Sequence, residues 1–84
     1  MTTTWILALW LLTPQLEVTS QAQSDMTFES QQACVEYTVN MIHMMEDFYG
    51  ASVISVRDAR FAEYMIQAED GGIVATQCQP HESI

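Results

Sequence analysis

The stretch Ser30–Tyr49, SQQACVEYTVNMIHMMEDFY, decides how the chain is read. Twenty residues pass without a glycine or proline. Glu36, Asn40, His43 and Asp47 recur at helical spacing and define a narrow polar stripe. Val35, Tyr37, Val39, Met41, Ile42, Met44, Met45, Phe48 and Tyr49 fill most of the remaining circumference. The spacing predicts one long helix, with Thr27 or Ser30 as its cap and Gly50 as its end. A surface helix buries one stripe and wets the other. This one is apolar on more sides than one partner helix can cover. Val39, Met41, Ile42, Met44, Met45 and Phe48 are therefore the predicted interaction surface, toward a client, another protein or a second copy.

Downstream, Ser55-Val56-Arg57-Asp58 reads as a capping box. Ala59, Phe61, Ala62, Met65 and Ile66 share one face of a helical projection, which predicts a second helix from Val56 to about Asp70. Gly71-Gly72 stops it. Ile73–Cys78 is a short piece, either a last helical turn or extended, with Pro80 ending it. The expected fold is all-α: a small helical hairpin with a short C-terminal segment.

Upstream, Trp5-Ile6-Leu7-Ala8-Leu9-Trp10-Leu11-Leu12 is an unbroken apolar run. A helical membrane span takes about 20 residues, so the run is too short for a stable anchor. It fits the apolar core of a secretory signal peptide. Ser20-Gln21-Ala22 offers small residues for cleavage after Ala22. Residues 1–22 are thus the expected leader and residues 23–84 the expected domain, with Gln23–Asp25 as a mobile lead-in. Removing 22 of the 84 residues leaves 62. The expected location is periplasmic or secreted.

A 62-residue chain is marginal for a hydrophobic core alone. Its two cysteines, Cys34 and Cys78, are an even pair in an exported small chain, which predicts a disulfide. A redox-active pair is instead usually close in sequence.

The chain has eleven acidic residues against two arginines and no lysine, a formal net charge of −9. Phosphate backbones are bound by basic surface, so nucleic-acid binding is excluded, and a basic partner of an inhibitor or immunity-type module is the charge-favoured alternative. Met41, His43, Met44 and Met45 have the soft donors that suit copper(I), which makes a copper carrier a second alternative. Their helical spacing favours adaptable core or interface packing instead, so no metal site and no cofactor are expected. No nucleophile motif or phosphate loop is present, and no enzymatic activity is expected.

Cys34-Val35-Glu36-Tyr37, Asp47-Phe48-Tyr49-Gly50 and Val74-Ala75-Thr76-Gln77-Cys78-Gln79-Pro80 make a layout, over Met26–Pro80, that resembles the small periplasmic acid-stress chaperones. The resemblance implies a soluble homodimer that loosens at low pH and shields unfolding clients. The absence of lysine departs from that pattern. Below about pH 3 most carboxylates are neutral, so acid removes the charge that keeps the apolar helix soluble.

Overall fold

A computed structural model describes residues 2–83. The fold is not the expected helical hairpin. It is mainly β, a single antiparallel sheet of five strands with one long helix, so the all-α reading is corrected. In chain order the elements are β1 (Thr2–Leu12), β2 (Val18–Gln23), α1 (Gln31–Tyr49), β3 (Ser52–Asp58), a 3-10 turn (Ala59–Phe61), β4 (Glu63–Gln67) and β5 (Ile73–Ser83). The sheet order is β2-β1-β5-β4-β3.

The helix forms where its sequence predicts. The Ser30 side chain accepts the Ala33 N–H at 3.1 Å, filling one of the donors a helix start leaves open. Gly50 closes it at φ 66°, a left-handed conformation that suits glycine. Cys34, Thr38 and Ile42 form the buried stripe, on the side away from Glu36, Asn40 and His43.

What that stripe meets is a sheet face, not a second helix. The expected helix over 56–70 is divided between β3, the turn and β4. Asp58 accepts the Arg60 N–H at 3.0 Å and starts the turn. Ala62 then takes φ 52°, and no α-helix continues through a left-handed residue. Val53, Ile54 and Val56 favour extended backbone ahead of that break. Glu63–Gln67 is drawn into pairing with β5, through Met65↔Ala75, Ile66↔Val74 and Gln67↔Ile73.

Ile73–Cys78 lies in β5, as long as β1, so the extended alternative for it is the one observed, and the strand runs on past Pro80. β4 pairs with it only at Ile73–Ala75. Pro80 therefore falls where one side of β5 has no neighbouring strand, the setting in which a strand tolerates proline.

The apolar run Trp5–Leu12 is the heart of β1. It pairs with β5 in unbroken register from Thr2↔Ser83 to Leu12↔Ile73, and with β2 from Ala8↔Gln23 to Leu12↔Val18. Gln23–Asp25 is not loose here: Ser24 donates its N–H to the Leu7 carbonyl at 2.8 Å and accepts the Leu7 N–H on its hydroxyl at 3.1 Å.

The core lies between α1 and the sheet. One cluster joins Leu7, Cys34, Ala62 and Cys78, with Trp5, Phe28 and Met41 packed on it. A second joins Ile42, Ala51 and Ile66, with Met45 packed on it. Cys34 and Cys78 are bonded to each other, with Cα atoms 6.1 Å apart, so the bridge ties the first helical turns of α1 to the middle of β5.

Candidate functional site

The structure sorts the six residues of the predicted interaction surface into three groups. Ile42 is buried, while Met41 and Met45 pack on the two core clusters. Val39 lines a cleft. Met44 and Phe48 stand in solvent, 58% and 74% exposed. Tyr49, next to Phe48, is 72% exposed.

Across the Gly50 turn, Val53, Ile54 and Val56 of β3 are exposed as well. β3 is an edge strand. The end of α1 and the start of β3 thus present Met44, Phe48, Tyr49, Ile54 and Val56 within thirteen positions of chain. Monomers scatter single apolar residues over their surfaces, but a concentration of large ones marks a contact site. Two register shifts, at Val53/Ser55 and Val56/Asp58, interrupt β3. Such bulges blunt an edge against indiscriminate strand pairing, so side chains, not backbone, are what this region offers.

Two recesses flank β3 and β4. The cleft between α1 and β3 encloses about 280 Å³ and is lined by Val39, Ile42, His43, Glu46, Val53, Val56 and Tyr64. His43 Nδ1 lies 3.4 Å from Glu46 Oε1. The partner of His43 along this polar rim is therefore Glu46, one helical turn further on.

The second recess opens on the face of the sheet opposite α1 and measures about 510 Å³. Register makes its floor: Trp10 pairs with Ala75, Ala75 with Met65, and Met65 with Ser55, one row across four strands. Gln79 donates to Gln77 at 2.7 Å and Gln77 to Glu63 at 2.8 Å. Arg57 shares the recess with Glu63 but pairs with no carboxylate among the described residues. Arg60 is engaged instead with Asp58, through two side-chain hydrogen bonds. Those bonds hold the Asp58 carboxyl below the usual carboxylate range, so whatever this exposed pair adds is present at neutral pH and lost as acid titrates Asp58 through that lowered value.

The soft donors are not gathered. Met41 and Met45 face the core, and Met44 and His43 face outward. Among the described residues no group of three or more His, Cys, Asp or Glu is placed to hold a metal ion.

No motif in the sequence marks the recess on the far side of the sheet. Its residues come from β1, β3, β4 and β5, and only the sheet register assembles them.

Comparison with protein-family models, with curated proteins and with solved structures found no match. The Cys34–Cys78 bond is compatible with an oxidising extracellular compartment. No described helix is long and apolar enough to cross a membrane.

Proposed function

We propose that this chain is an exported, non-enzymatic contact protein of chaperone-like type. It leaves the cell on its apolar amino-terminal run, is cleaved after Ala22, and works in the periplasm or outside the cell. Its contact surface is the end of α1 with the start of β3, centred on Phe48. The observation that carries this reading is the concentration of exposed large side chains there: Met44, Phe48, Tyr49, Ile54 and Val56 are all more than a third exposed. Every one lies downstream of Ala22 and belongs to the exported chain. The strong acidic charge keeps such a surface soluble at neutral pH. In acid the carboxylates lose their charge, and apolar contact with an unfolding client is then opposed by less repulsion and less hydration.

The test is suppression of client aggregation. The mature protein is mixed at pH 2–3 with an acid-labile client, and light scattering is followed. Wild type should suppress scattering. A Met44→Ser/Phe48→Ser variant should keep its melting temperature and lose most of that effect. Unchanged client aggregation with wild type, or full protection by the variant, overturns the proposal.

A further inference from the structure

The segment expected to be removed on export holds β1, second in the sheet order, and nearly all of β2, and its loss would leave a vacant place walled by β5 along its length and by the residues before α1 along its first half. Cleavage after Ala22 takes away β1 and all of β2 except Gln23. One wall of the place is β5, whose backbone pairs with β1 from Ile73 to Ser83. The other wall is the segment leading into α1. Phe28 N–H donates to the Trp5 carbonyl at 2.7 Å, and Trp5 N–H donates to the Phe28 carbonyl at 2.9 Å. Ser24 holds Leu7 in the same way through its N–H and its hydroxyl. Ser24, Phe28 and β5 all belong to residues 23–84.

We propose that the exported chain takes an extended apolar strand of a client polypeptide into the place left by β1. This deepens the reading of the protein as a chaperone-like contact protein, and rests on it. Strand addition of this kind draws affinity from main-chain hydrogen bonds and specificity from pockets for alternate side chains. The strand present before cleavage shows what the place accepts. Trp5, Leu7 and Leu9 all pack on the cluster that holds the disulfide. Leu7 is 2% exposed, and Ala8, pointing the other way, is fully buried. The occupant therefore carries large apolar residues at three alternate positions, with a small residue between the second and third. It contains no proline where Phe28 and Ser24 need its N–H and carbonyl groups. Stretches with this pattern are buried in folded proteins and become available when a client unfolds. The ten acidic residues of the exported chain favour flanks that are neutral or basic.

The chain supplies its own reporter. Trp5 and Trp10 are its two tryptophans, so the exported form has none, and a bound strand carrying them is seen without background. The protein is secreted on its own leader and the amino terminus of the product is determined by mass spectrometry. The product is then titrated at neutral pH with a synthetic peptide of residues 2–12 bearing solubilising lysines, and with the same peptide carrying Leu7→Asp. The expected product begins at Gln23. The first peptide should show a saturable blue shift of tryptophan emission with 1:1 stoichiometry and should raise the melting temperature. The second should bind at least about tenfold more weakly, since its carboxylate would enter an apolar cluster. A product that retains Met1 overturns the inference, because the place is never vacated. Equal response to both peptides, or to neither, overturns it as well. So does a mature homodimer that the peptide cannot bind, with a second copy then holding the place. Failure here with client protection intact at Phe48 removes the vacant-strand inference alone. Loss of protection in the Phe48 variant with peptide binding intact leaves it standing.

Discussion

Single side chains settle where the chain turns against the local preference of its sequence, and Thr76 is the clearest case. Ala62 stands in the left-handed region, at the point where a helix would otherwise run on. Its carbonyl is bonded by the Thr76 hydroxyl at 2.6 Å, and the same hydroxyl accepts the Tyr64 N–H at 3.3 Å. Thr76 is 3% exposed, so water cannot replace it. Thr76→Val keeps the shape and the strand preference and removes both bonds. An unsatisfied buried polar group costs about 1–3 kcal/mol, and the variant should lose that much in urea unfolding. Thr76→Ser should recover most of it, because the hydroxyl returns. A Val variant as stable as wild type would show that the Ala62 turn stands without this support.

At the scale of elements, α1 and its two ends were legible, and the strands were not. The reasons are physical. Helix caps are local chemistry, and Ser30 and Gly50 declare themselves within four residues. β1 carries apolar residues on both faces: Leu7 is buried toward α1, and Ile6 and Ala8 are buried on the opposite side, so the run shows no alternation. Such a run reads equally well as a leader. β3 and β4 lost their strand signal to coincidence. Ala59, Phe61, Ala62, Met65 and Ile66 fall on one helical face by spacing, yet the first three belong to a turn and its exit. The density of β-branched residues in Val53–Val56 and Ile73–Thr76 was the available signal for strands. The exposure of Met44 and Phe48 follows from the helix alone: its polar stripe is too narrow, and these two remain uncovered once a sheet takes the opposite side. The boundary between α1 and β3 depends on one residue. Gly50 has φ 66°, and a Cβ there would meet the Glu69 side chain. Glu69 is exposed and flexible and can move aside, so the backbone conformation carries most of the penalty. Gly50→Ala should destabilise by about 1 kcal/mol. The thermal transition should fall by several degrees while helical circular dichroism stays unchanged in the folded baseline. No fall would mean that the turn tolerates a side chain and that the helix end is set elsewhere.

For the molecule as a whole, the question is what holds β5 in place, since α1, β1 and β4 all depend on it. With residues 2–22 in place, β5 is gripped twice: by the ladder to β1 along its whole length and by the bond from Cys78 to Cys34. The bond closes a separation of 44 residues. Chain entropy assigns such a closure about 4 kcal/mol, a large part of the roughly 5–15 kcal/mol by which small domains are stable. Reduction should therefore lower the melting temperature of the uncleaved chain by roughly 15–30 °C, taking about 4–8 °C per kcal/mol for a domain of this size, and leave it folded at room temperature. A chain cleaved after Ala22, as proposed, would lose the ladder to β1. Its β5 would be secured by the disulfide, by three paired residues of β4 and by whatever strand it takes up. Reduction of that form without a bound strand should abolish the cooperative transition, and the β1 peptide should restore one. Melting curves of the two forms, with and without reductant, distinguish a sheet that depends on its staple from one that does not. If the reduced exported chain melts cooperatively without any peptide, β5 is held by contacts that neither the ladder nor the disulfide supplies.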